Sequence, residues 1–199
     1  GAPKTISYTF LALLAFAGNS VLCRLALASP TIDAASFTAI RLLSGIGILL
    51  PIIAFSSSKS KNTSKGSWLS GFMLFLYAAT FSYAYISLDT GTGALILFGS
   101  VQISMILISL ISGNRLRLPE WLGLAIAFSG FVYLVAPSLT TPSAKGFALM
   151  TIAGISWGIY TLRGKRSQNP LQDTGYNFIR AAPFAIPLMA YAFRDLSLS

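Results

Sequence analysis

Three arginines, Arg24, Arg41 and Arg180, sit inside long apolar stretches of this chain. A guanidinium grips carboxylate or phosphate through a planar fork of donors, and it stays charged at any working pH. In apolar surroundings it either captures an anion or reaches a polar surface along its own aliphatic stem. Near the first of these arginines lie Asn19 and Ser20, and Ser20 and Arg24 are four apart, on one helical face. Tyr77, Thr80 and Ser87 form a second stripe, with Ala84 between them. Gly99, Gln102, Ser109 and Gly113 form a third. Trp157, Tyr160 and Asn177 complete the candidate set. Each of these side chains reads either as lining a solute pathway or as bridging helices, by hydrogen bonds worth roughly 0.6–2 kcal/mol.

Other chemistry is excluded by residue type. The chain has no histidine and one cysteine, Cys23. Histidine catalysis and Cys/His metal ligation are ruled out, and no carboxylates are paired deep in an apolar stretch for acid–base work. We expect no catalytic residue, no cofactor and no metal. Thr90-Gly91-Thr92-Gly93 is too short for a phosphate loop and lacks the Gly-Lys-Ser/Thr ending, so it reads as a tight outer turn. Gly154 and Gly158 are spaced for close helix approach, and Gly99 is a further packing position.

The elements that must hold these residues follow from composition. The 199 residues are 54% hydrophobic and 10% charged, with a mean hydropathy of +0.72. Soluble domains carry about 25% charged residues, so a water-facing globule and a disordered chain are both excluded. The expected fold is all-α: a polytopic transmembrane helical bundle. A helix crosses the bilayer core with about 20 mostly apolar residues. Seven such runs are predicted, over 5–28, 35–55, 68–88, 92–112, 118–137, 146–163 and 175–193. Strand alternation of the kind a membrane barrel needs is missing from them. Residues 56–67 read as a flexible serine/lysine linker.

The net charge of +9 sorts by loop. Lys4, Lys59, Lys61, Lys65, Arg115, Arg117, Arg163, Lys165 and Arg166 fall in one set of loops. Only Lys145 and Arg194 fall in the other. The positive-inside rule puts the first set, and the N-terminus, in the cytoplasm. Lipid and a small-molecule substrate are the expected partners; nucleic acid is not. No feature sets an oligomeric state.

A short repeat organises the spans. Ala17-Gly18-Asn19-Ser20 returns as Ala153-Gly154-Ile155-Ser156, and Ile40-Arg41 returns as Ile179-Arg180. Five spans separate the copies, so the second copy enters the membrane inverted, a transporter signature. The expected organisation is a first five-helix repeat over 1–137 and the first two helices of a second over 138–199. Seven spans of an expected ten are then present, in a protein of about 280 residues if the repeat is doubled; a complete seven-span protein is the alternative.

The chain resembles the EamA-like transporters of the drug/metabolite transporter superfamily. The resemblance rests on Ala17-Gly18-Asn19-Ser20 with Arg24-Leu25-Ala26, and on Ser36-Phe37-Thr38-Ala39-Ile40-Arg41. It continues through Thr90-Gly91-Thr92-Gly93-Ala94, Glu120-Trp121-Leu122-Gly123 and Ala153-Gly154-Ile155-Ser156-Trp157-Gly158. Where many relatives carry a proline in the middle of the fourth span, this chain has Ser100-Val101-Gln102. The resemblance implies two five-helix repeats at the plasma (inner) membrane and a transporter, not an enzyme. Such a protein moves a small organic metabolite (an amino-acid-like or anionic solute, or a drug) by alternating access, in export or exchange. A non-transporting receptor or scaffold bundle is the alternative, and an intramembrane enzyme stands behind it.

Overall fold

The computed structural model describes residues 2–28, 32–56, 65–114, 116–136 and 142–196. Among them are seven helices and no strand. They are α1 (Ala2–Ala28), α2 (Ala34–Phe55), α3 (Trp68–Ala84), α4 (Thr90–Ile111), α5 (Leu118–Val135), α6 (Ala144–Gly164) and α7 (Pro170–Leu196). Most of the linker expected over 56–67, and the loop after α5 at 137–141, lie outside the described residues.

Local chemistry explains the helix ends. The Asp33 carboxylate accepts from the N–H groups of Ala35 and Ser36, both at 2.9 Å, and starts α2. Ser67 starts α3 by accepting from the Ser70 N–H at 3.1 Å. Ser143 starts α6 by accepting from the Gly146 N–H at 3.0 Å. Such caps satisfy donors that the first helical turn leaves orphaned. The Glu120 side chain reaches back to the Arg117 N–H at 2.6 Å and opens α5.

Three expectations about α3 and α4 are corrected. α3 stops at Ala84, so Ser87 lies beyond its stripe, in a turn where the N–H groups of Ser87 and Leu88 both bond the Ala84 carbonyl at 3.1 Å. Thr90–Gly93 is no free turn: it forms the first turn of α4, with the Gly93 N–H on the Asp89 carbonyl at 2.8 Å. Gly113 leaves the polar stripe of α4 as well. Its φ of +87° places it in the left-handed region. Bonds from Gly113 N–H to Leu110 and from Asn114 N–H to Ser109 complete a Schellman stop.

Contacts between helix ends set the directions. The C-terminal parts of α1 and α3 meet the start of α2 at one end of the bundle, where Arg24 bonds the Tyr85 carbonyl and Arg41 meets Ser82. The start of α6 joins them through Ser87 and Ser143. At the opposite end the N-terminus of α3 meets the end of α6 and the start of α7. α6 therefore runs against α1, and α7 against α2. α3 lies between α6 and α7, α2 packs on α7 and α3, and α4 packs on α6. α6 approaches α4 closely because it carries glycine there: a Cβ on Gly154 would stand 2.8 Å from the Leu97 carbonyl oxygen. Gly158 abuts Ser104 in the same way, and Gly99 faces Phe128 at ordinary contact distance.

The surface is apolar and part of the interior is polar. Leu22 is 66% exposed, Ile126 73% and Ile186 69%, whereas Thr38, Ser82, Ser156 and Asn177 are buried. Apolar exposure on this scale is unstable in water and natural in lipid. By length and composition Lys4–Ala28, Ala34–Phe55 and Thr90–Ile111 can each cross a membrane, and Trp68–Ala84 is a shorter apolar helix. α7 is the most polar of the long helices in its first turns, with Gln172, Asp173, Asn177 and Arg180.

Candidate solute site

The side chains that converge come from four helices. Asn19 on α1 stands at the centre. Its carbonyl oxygen accepts from Arg41 Nη2 at 3.1 Å and from the Cys23 thiol at 3.7 Å, and its amide donates to the Tyr77 hydroxyl at 3.4 Å. Arg41 Nη1 reaches Ser82 Oγ at 3.5 Å. Aromatic faces surround the guanidinium: the ring centres of Phe81, Phe37 and Tyr77 lie 5.2, 5.6 and 6.0 Å from its central carbon. Each such contact contributes about 0.5–2 kcal/mol, more where water is excluded. That helps to offset the cost, about 2.5–3.5 kcal/mol on insertion scales, of an arginine at membrane depth.

Beside this polar junction is an aromatic wall. Trp157 of α6 lies 4.7 Å from Tyr77, 5.4 Å from Tyr160 and 6.0 Å from Phe16, measured between ring centres. Phe16, Asn19, Ser20, Tyr77 and Trp157 enclose a chamber with α4, whose free volume is about 10 Å³. That is close to the least that holds one water molecule.

The structure separates the three arginines. Arg24 donates to the main-chain carbonyls of Tyr85 at 2.8 Å and Ile86 at 3.4 Å. It closes the end of α3, where carbonyls lack helical partners. Arg180 bonds the carbonyls of Lys65 and Tyr176 at the opposite end of the bundle. Arg41 alone is held by neutral side chains, Asn19 and Ser82. The Tyr77 hydroxyl, also neutral, lies within reach of the same guanidinium.

Of the other sequence candidates, Ser20 joins Asn19, Tyr77 and Trp157 at the chamber, with Tyr160 stacked behind. Thr80 is buried, with its hydroxyl on the Leu76 carbonyl of its own helix at 2.7 Å. Gln102 is exposed on the outer side of α4, and the neighbouring Val101 takes its place at the chamber. Ser109 sits in the closing turn of α4. Asn177 is buried far from the chamber, accepting the Ser67 N–H at 3.0 Å. Phe16, Phe37, Phe81 and Ser82 were not anticipated. Phe37 and Arg41 are four apart, and Phe16 and Asn19 three apart, so helical spacing carried that signal; nothing in the sequence marks Ser82.

Asp33 lies outside the spans, beside the start of α2. Burial pushes its carboxyl up, but hydrogen bonds from Ser36 and from the N–H groups of Ser36 and Ala35 outweigh it and leave the pKa below its ordinary value. Among the described residues no three Cys, Asp or Glu side chains gather as a metal site would require. The polar groups of the junction are amide, hydroxyl, thiol and guanidinium.

Comparison with known proteins gives the chain a family. The EamA-like transporter family matches residues 3–136. An uncharacterized protein of Pseudomonas aeruginosa is 45% identical over 186 residues, in a match that takes in 94% of this chain and 64% of that protein. The chain thus spans a little under two thirds of the length of that relative. With three helices among the described residues long and apolar enough to cross a membrane, and a family match over residues 3–136, the chain belongs to the EamA-like transporter family of the drug/metabolite transporter superfamily.

Proposed function

We propose that the protein carries a small organic solute across the inner membrane by alternating access, and that Arg41 receives the solute's anionic group. The observation that carries this reading is the setting of Arg41. It is a permanent cation, half-buried among aromatic rings, whose hydrogen-bond partners are neutral. A carboxylate or phosphate supplies a counter-charge that the described residues around it lack, and two acceptors that match the guanidinium fork. Asn19 and Tyr77 offer further hydrogen bonds, and Trp157 and Phe16 offer an apolar wall for the rest of an amino-acid-like solute.

The orientation rests on the basic loops. Lys65, Arg163, Lys165 and Arg166 crowd the end of the bundle that holds the start of α3, which by the positive-inside rule faces the cytoplasm. Arg41 then belongs to the outer half. All seven helices cross in this reading. Residues 1–137 form the first repeat and 138–199 open a second, inverted one, which suits the opposed directions of α1 and α6. Export or exchange is the expected mode.

Proteoliposomes test the function. Full-length protein loaded with a panel of unlabelled carboxylates and amino acids should accumulate the matching labelled solute by counterflow, saturably. A receptor or scaffold gives no counterflow with any of them.

A further inference from the structure

At the end of α3 farthest from Arg41 lies a second polar cluster, and it joins three helices. The Gly66 N–H donates to Asp173 Oδ1 at 2.8 Å, and the Ser67 N–H to Asn177 Oδ1 at 3.0 Å. Arg163 of α6 donates through Nε to Ser70 Oγ at 3.1 Å and through Nη2 to Ser67 Oγ at 3.3 Å. Arg180 holds the Lys65 carbonyl, and Ser167 donates to the other oxygen of Asp173. The absence of a side chain on Gly71 lets Arg180 lie flat against α3; a Cβ there would stand 2.7 Å from Arg180 Cβ.

The chemistry of this joint differs from that of the α4–α6 contact, which is made by apolar packing and close glycine approach. Here α6 and α7 grip α3 by side chains that bond its entry segment and first turn. Such bonds break by side-chain rotation alone, and water can replace every partner. Parting them leaves each helix whole.

We propose that this cluster is the cytoplasmic gate of the carrier, fastened in this structure. Its release swings the start of α3 from α6 and α7 and admits cytoplasmic water to the chamber around Asn19. The gate rests on the carrier reading above, with the cytoplasm at this end.

Cys23 is the reporter. It is the one cysteine of the sequence, 2% exposed, and its thiol touches Asn19. The probe is a charged, membrane-impermeant methanethiosulfonate, applied to inside-out vesicles holding full-length protein with Cys23 as its sole thiol. Replacing Asp173 and Asn177 together by Ala should raise the modification rate from the cytoplasmic face roughly tenfold, the equilibrium shift expected for losing such bonds. In right-side-out vesicles the rate should stay level or fall. An unchanged cytoplasmic rate, or an equal rise from both faces, overturns the gate. If the double variant does not reach the membrane, Ser70→Ala removes one acceptor of Arg163 and should give a smaller rise on the same face; no rise there overturns the gate equally. Labelling needs no solute. Absent counterflow with gate-dependent labelling therefore rejects the solute reading and leaves the gate standing.

Discussion

Arg41 on α2 and Asn19 on α1 are joined by a hydrogen bond of 3.1 Å between charged guanidinium and neutral amide. Aspartate, isosteric with asparagine, would neutralise the cation from within if it stood at position 19. The amide keeps the charge available. Asn19→Asp should therefore abolish binding of anionic solutes while the protein still inserts. Arg41→Gln should raise KM about tenfold or more through loss of a charge-assisted contact worth about 1.5–3 kcal/mol, and Arg41→Lys should recover only part of it because the fork is gone. Counterflow kinetics in proteoliposomes check all three. Normal uptake in Arg41→Gln would reject the arginine as the anion site.

Arg24 should behave differently. Its donors hold the carbonyls of Tyr85 and Ile86 at the end of α3. Arg24→Met should lower stability in detergent by about 1.5–3 kcal/mol, read as a fall in melting temperature. The KM of the surviving protein should not move.

Gly154 meets the backbone of α4 too closely for any side chain. Gly154→Val should separate α6 from α4 and cost about 1–3 kcal/mol, the usual penalty of overpacking. Gly123, which has open space around it, should accept alanine without loss, so paired thermal melts of Gly154→Val and Gly123→Ala provide the comparison.

Asp33 ties stability to pH. Its folded pKa lies below the ordinary carboxylate value, so its cap stabilises fully above that ordinary value and is lost as pH falls through the lowered one. A cap of this kind contributes about 1 kcal/mol at most for so exposed a group. Melts across the acidic range should show this slope, and Asp33→Asn, which still caps, should flatten it.

The helices were legible because lipid demands long apolar runs, and α1, α2 and α5 begin within a few residues of where those runs do. The end of α3 was not legible. Tyr85 to Leu88 is as apolar as a helix, and only Arg24, from another helix, takes the carbonyls of Tyr85 and Ile86 there. Asn19, Tyr77 and Trp157 could be picked out as polar or amphipathic groups in apolar helices. The face they share could not, since helical spacing alone left Gln102 as good a candidate as any, and it points outward. Sorting the three arginines required their partners: carbonyls for Arg24 and Arg180, neutral side chains for Arg41.

The small volume enclosed by Phe16, Tyr77 and Trp157 has a thermodynamic consequence. On the carrier reading, the rings must move before an organic cargo enters, and the conformation that accepts it is then only a fraction of the whole. Measured affinity is the intrinsic affinity reduced by that fraction. Phe16→Ala takes away part of the apolar wall proposed to hold the cargo, so it should weaken equilibrium retention of the cargo and speed its release on the far side.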